Sequence, residues 1–111
     1  MSNSILDIRV YKLKPGVAEA FAAHFSEQVE PMLERHQIKV VHFGQSLIDP
    51  DGFCLIRRFG SIEERDAQLS GFYGSEEWLE NHDDPVMAMI DSYNVCVVDG
   101  ELAQQGFDRI P

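Results

Sequence analysis

Hydrophobic and polar residues alternate from Ile5 to Leu13. Leu6, Ile8 and Val10 fall on one side, and Asp7, Arg9 and Tyr11 on the other. That period of two predicts a strand over 5–13. Lys14-Pro15-Gly16 ends it, and the spacing then changes. Val17, Phe21, Phe25, Val29, Met32 and Leu33 recur at helical intervals, predicting a helix over about 17–36. Pro31 lies inside that pattern and should kink it, because proline lacks an N–H and clashes with the preceding turn. A second strand is predicted at about 38–48, through Val40, Val41, Phe43 and Leu47. Asp49-Pro50-Asp51-Gly52 is a turn signal. The run from Phe53 to Phe59 makes a third strand, paired with the second as a hairpin.

Ser61 with Glu64 three residues on matches a capping box. A helix should run from there to about Leu69, broken by Gly71 and Gly74. Ser75-Glu76-Glu77-Trp78 opens another helical turn, with two acids near the positive end of its dipole. Asp84-Pro85 starts a last helical piece over 86–92, and 94–98 is the fourth strand. The tail over 99–111 reads as irregular.

The order β-α-β-β-α-β predicts a single ferredoxin-like α+β domain with a core over about 5–98. Right-handed crossovers then give a four-stranded antiparallel sheet in the spatial order 4-1-3-2, with both helical segments on one face. Strand one would separate Cys54 from Cys96. Two strand spacings put them about 10 Å apart, too far for a disulfide.

Strands two, three and four read as nearly continuous apolar runs, which indicates burial on both faces. The helices can cover only one. The other face has a footprint on the order of 400 Å², at or above what monomers leave exposed. A second copy of the chain is the economical cover, so a homodimer is expected. Arg9 and Tyr11 would be polar exceptions there, tolerable within an interface if paired.

Charge narrows the partners. The 111 residues carry 19 acidic and 9 basic side chains, a formal net charge of −10. Such a field repels phosphate backbones and anionic lipid surfaces, so neither nucleic acid nor membrane is expected as a partner. The start of the chain lacks signal-peptide features, and no apolar run nears the ~20 residues of a membrane span. With two cysteines and no disulfide framework, the expected location is cytoplasmic.

Four motifs in order carry a family resemblance. Tyr11-x-Leu13-Lys14-Pro15-Gly16 resembles the strand-to-helix junction of NIPSNAP-like proteins, within the dimeric α/β-barrel superfamily. Pro31-x-Leu33-x-Arg35-His36, Arg58-Phe59-x-Ser61-x-x-Glu64-Arg65 and Tyr73-x-Ser75-x-x-Trp78 are similar to the same family's pattern. The resemblance covers about residues 5–98. It implies a ferredoxin-like subunit pairing into a dimeric barrel, with a ligand pocket between sheet and helices. The activities it implies are broad: cofactor-independent monooxygenases of the antibiotic-biosynthesis type, haem-degrading monooxygenases, lactone isomerases and polyketide cyclases. It brings no shared catalytic motif. Haem-degrading relatives pair an Asn on strand one with a Trp and a His on the second helical segment. Trp78 and His82 match in part, but strand one offers Asp7, which speaks against haem chemistry.

Each candidate residue has a plainer reading. His42 lies mid-strand near Gly44, and a strand glycine often marks close approach of backbone or ligand. It could act as a general base near neutral pH, or be a satisfied half-buried histidine. His24, beside Phe21 and Phe25, could line the cavity from above. Tyr73 could orient a phenolic substrate or simply pack. Trp78 could stack on an aromatic ligand or plug the core. Arg57 or Arg58 could bind a carboxylate through its planar fork; being adjacent, they face opposite sides, so at most one serves a given pocket. Tyr11 joins Arg57 and Trp78 as a binding candidate.

The histidines lack metal-ligand spacing, and the acidic clusters read as solvated faces and caps. No nucleotide fingerprint is present, so no cofactor is expected. Cys54 and Cys96 look inert. Two functions remain open. One is a cofactor-independent monooxygenase or isomerase acting on an aromatic or polyketide-like substrate. The other is a non-catalytic dimer that binds a ligand or protein partner.

Overall fold

The computed structural model describes residues 4–100. Strand β1 spans Ile5–Leu13. Helix α1 (Ala18–His24), a π-helical segment (Phe25–Val29) and α2 (Glu30–Arg35) follow. The hairpin is β2 (Lys39–Gln45) and β3 (Gly52–Phe59). Helices α3 (Ile62–Tyr73), α4 (Glu76–Asn81) and α5 (Asp83–Met89) lead into β4 (Ile90–Asp99). The sheet is antiparallel throughout, in the order β2-β3-β1-β4. This is the ferredoxin-like arrangement expected from the element order.

Local chemistry explains most boundaries. Ser61 Oγ accepts from the Glu64 N–H at 3.1 Å, and Ser75 Oγ from the Trp78 N–H at 3.2 Å, satisfying helix-start donors. Helix α2 ends on Gln37, whose φ of 61° lets Ile38 N–H reach the Leu33 carbonyl and Gln37 N–H the Glu34 carbonyl. That paired closure is a Schellman stop.

Four boundaries differ from the expected ones. Strand β2 stops at Gln45, where Ser46 N–H turns to the Gly52 carbonyl, and Leu47 and Ile48 stand exposed in the loop. The disturbance at Pro31 is taken up upstream, where Glu30 N–H reaches back five residues to the Phe25 carbonyl. Pro31 then sits in the first turn of α2, where its missing N–H costs least. Helix α3 runs through Gly71 and stops at Gly74; one interior glycine costs only about 1 kcal/mol, which packing overrides. Strand β4 starts at Ile90, because pairing with Leu13 wins over the helical spacing of those residues. Of the expected tail, Asp99 closes β4, and 101–111 lie outside the described residues.

The core lies between the sheet and the helices. Phe21, Phe25, Phe43 and Phe53 meet there, with the Phe25 and Phe43 rings stacked at 3.8 Å. Alternation and register place Asp7, Arg9 and Tyr11 of β1 on this covered side, with Leu55 and Arg57 of β3 and Tyr93 and Val95 of β4. Arg9 and Tyr11 are therefore not exceptions on the uncovered face. That face carries Leu6, Ile8 and Val10 with Cys54, Ile56, Cys96 and Val98, and no described helix covers it. Val10 is 52% exposed there. Among the described residues, no helix is long and apolar enough to cross a membrane.

Candidate functional site

Polar residues that point inward need partners, and β1 supplies them from one carboxylate. Asp7 and Arg57 are cross-strand neighbours, and both are fully buried. Asp7 Oδ1 accepts from Arg9 Nε at 3.2 Å and Arg57 Nη2 at 3.3 Å, and its Oδ2 from Arg65 Nε at 2.7 Å. Burial alone pushes this carboxyl up, but the Arg57 charge, the Arg65 hydrogen bond and the Arg9 charge outweigh it. Asp7 ends below its ordinary 3.8 and stays ionised.

The network continues into a cavity of about 460 Å³ between sheet and helices. Arg57 Nη1 donates to Tyr73 Oη at 2.9 Å, which leaves the phenol's own proton for another acceptor. The Arg9 guanidinium lies 5.5 Å from the centre of the Tyr73 ring and 6.0 Å from that of Tyr93. Tyr11, deeply buried, has its hydroxyl pushed up by burial and by Tyr73, so it stays protonated. Phe21, Phe25, Val29, Leu33 and Leu55 make an apolar wall, and Trp78, Val86 and Ile90 complete it. Such a mix of apolar walls and few convergent polar groups is typical of small-molecule sites.

His24 also borders the cavity. Its Nε2 lies 3.2 Å from Nδ1 of buried His82. A hydrogen bond between two imidazole nitrogens needs one donor and one acceptor, so at most one proton lies between them. Burial and the neighbouring His82 hold His24 below its ordinary 6.5, against the opposing pull of Glu27. His82 is fixed from the other side by Trp78, whose ring lies 5.7 Å away and whose Nε1 donates to Asp83 Oδ1 at 3.0 Å. Where His24 Nε2 donates to His82, His24 Nδ1 keeps its lone pair and is the basic atom.

Of the residues singled out from the sequence, His24, Tyr73, Arg57, Trp78 and Tyr11 border this one cavity. His42 does not. A bulge at Val41 puts two residues of β2 against one step of β3, so Val40 pairs with Arg57 but His42 with Ile56. His42 is thereby switched to the uncovered face, beside a second hollow of about 520 Å³ that also touches Val10 and Cys54. Its imidazole lies over Gly44, with Nε2 2.9 Å from where a Cβ would stand. The close approach inferred for Gly44 exists, and its occupant is His42 itself. Arg58 faces away from the cavity and donates to Ser4 Oγ at 2.6 Å.

The sequence reading passed over Asp7, Arg9 and Arg65 as members of the site. The Asp7–Arg57 register across β1 and β3 would have flagged the first. His82 had been weighed only for haem chemistry, and its pairing with His24, 58 residues away, leaves no local signal. Burial pushes the Cys54 thiol up, away from reactivity. No group of three metal-ligating side chains occurs among the described residues.

The NIPSNAP family model matches residues 6–96. The chain belongs to the NIPSNAP family. Among solved structures, an uncharacterized NIPSNAP-like domain protein from Burkholderia xenovorans superposes with a TM-score of 0.80 at 17% identity, covering 88% of this chain and 85% of that one. A NIPSNAP family protein from Agrobacterium tumefaciens gives 0.82 at 12% identity, over 89% and 87%. A putative antibiotic biosynthesis monooxygenase from Nitrosomonas europaea gives 0.66 at 17% identity, over 90% and 92%. At these identities the likeness speaks to the fold. No curated protein matches this NIPSNAP chain.

Proposed function

We propose that this NIPSNAP protein is a small-molecule enzyme, working as a homodimer, that removes a proton from an activated aromatic or polyketide-like substrate in the cavity of each subunit. The observation that carries the reading is His24, a neutral imidazole on the cavity wall whose far nitrogen is held by His82 at 3.2 Å. His24 Nδ1 takes the proton from an acidic C–H, and the electron pair passes to the adjacent carbonyl as an enolate. His82 supports the imidazolium that forms, while the free proton of Tyr73 Oη and the Arg57 behind it stabilise the enolate oxygen. Return of the proton at another carbon is isomerisation. Reaction of the anion with dissolved dioxygen, one atom entering as a carbonyl and the other leaving as water, is oxygenation of a CH₂. Neither route calls for a bound cofactor. The apolar uncovered face, centred on Ile8, Val10 and Ile56, supports pairing of two copies.

The test needs only the first step. In D₂O, hydrogen–deuterium exchange at the acidic carbon of 2-tetralone is followed by proton NMR with and without protein. The wild type is expected to accelerate exchange, and His24→Ala to lose about 100-fold or more of that acceleration, the typical share of a general base. A His24→Ala protein exchanging at the wild-type rate overturns the assignment. A wild type that binds 2-tetralone without exchanging it favours a non-catalytic binding dimer instead.

A further inference from the structure

The polar end of the cavity gathers three guanidiniums. Arg9, Arg57 and Arg65 converge on Asp7, and among the described residues the further acid that engages them is Asp66, which meets Arg65 Nη1 at 2.9 Å. Three guanidiniums against two carboxylates leave one charge in excess. Asp66 is a side chain 62% exposed, so its share is weakened by water. The excess sits in a chain whose net charge is −10, so the overall field does not explain it.

One donor at that end lacks an acceptor among the described residues. Arg57 is fully buried, yet its Nε has no hydrogen-bond partner among the described residues. A buried unsatisfied donor of a charged group is costly and calls for an explanation. Arg9 spends its Nε on Asp7, which leaves its two Nη groups between the rings of Tyr73 and Tyr93. Both arginines border the cavity, and α1 and the π-helical segment contribute the apolar side chains Phe21, Phe25 and Val29 to its lining.

We propose that the Arg9–Arg57 end of the cavity is a carboxylate clamp, so the ligand class of this protein is an aromatic or aryl-alkyl carboxylate. The planar fork of Arg9 matches a carboxylate in two parallel hydrogen bonds, which a lysine could not offer. Arg57, fully buried beneath, adds its charge. The apolar wall takes the ring of the ligand, and Trp78 lies at its side. The inference shares its cavity with the proposed enzymatic reading but does not depend on proton abstraction.

Trp78 is the single tryptophan, so its fluorescence reports on this cavity directly. The probes are 3-phenylpropanoate and its neutral counterpart, 3-phenylpropanamide, titrated by fluorescence with calorimetry as a check. The acid is expected to bind about 10- to 100-fold tighter than the amide, the worth of a charged hydrogen-bonded pair. In Arg9→Gln that ratio should fall several-fold toward one. Because Arg9 also holds Asp7, Arg9→Lys is measured beside it, and it should give a ratio between the other two. Equal binding of acid and amide by the wild type, no binding of either, or an unchanged ratio in Arg9→Gln overturns the clamp. The two readings fail separately: equal binding of acid and amide by a wild type that still accelerates 2-tetralone exchange removes the clamp alone, and a wild type that keeps the ratio without accelerating exchange removes the base alone.

Discussion

The two faces of β1, over Leu6 to Tyr11, invert the usual arrangement of a half-buried strand. On β1 the residues pointing at the helices are Asp7, Arg9 and Tyr11, and those pointing away are Leu6, Ile8 and Val10. An ordinary surface sheet puts its apolar stripe inside and its polar stripe in water. Here charge is enclosed, so it is paired, while on the far side Leu6 is buried, Ile8 is half-buried and Val10 stands exposed. The covered face borders the cavity; the uncovered face is where the proposed second copy would sit.

Breaking the enclosed side should have the largest effect. Asp7→Ala leaves three guanidiniums without their shared acceptor, and a loss of about 3–5 kcal/mol is expected, read as a lower urea midpoint at fixed protein concentration. A midpoint unchanged in Asp7→Ala would mean that the arginines are not held by this carboxylate. The ionised carboxylate also sets a pH limit. Its folded value lies below 3.8, so its contribution is complete above 3.8 and is lost as the pH falls through the lower folded value.

Val10→Lys challenges the other face. Two copies would bring like charges into the shared apolar patch, weakening pairing by about 100-fold, or ~2.7 kcal/mol, visible in sedimentation velocity as a shift from dimer to monomer. The cavity should be untouched, so phenylpropanoate binding of the isolated subunit serves as the control. A wild type that sediments as a single copy at every concentration would sink the pairing.

Tyr73→Phe is milder. It removes the acceptor of Arg57 Nη1 and should cost about 1 kcal/mol of stability, with a larger loss in 2-tetralone exchange than in stability. The smallest effect is the titration of His24. Its folded value is below 6.5, so the unfolded chain binds more protons, and stability should begin to decline as the pH drops under 6.5. His24→Asn should flatten that shallow slope, measured as urea midpoints across the range.

The order of elements was legible because its signals are local. The Asp-Pro-Asp-Gly turn, the Ser61 and Ser75 caps and the change from period two to helical spacing all act within a few residues. What escaped was decided at a distance. The inserted Val41 carries no glycine to mark it, yet it moves His42 from one face to the other. Ile90 joins β4 because β1 offers it a partner, against the helical pattern it continues. Arg9 and Tyr11 read as misfits on an apolar interface because the sequence does not say which stripe of β1 the helices cover. Five candidates meet in one cavity because aromatic and cationic side chains that point inward from a short sheet have few places to go.

The wide turn at Phe25–Val29 has a bearing on how this chain can vary. In a regular α-helix, adding or removing one residue rotates everything downstream by about 100°, which would pull Met32 and Leu33 out of the interior. A π-turn already accommodates one surplus residue within a single loop of backbone, so α1 and α2 keep their phases on either side. Shortening the chain by one at exposed Ser26 or Gln28 should therefore be tolerated by the framework. Its cost would fall on Phe25 and Val29, so this wall of the cavity is what such a deletion would reshape.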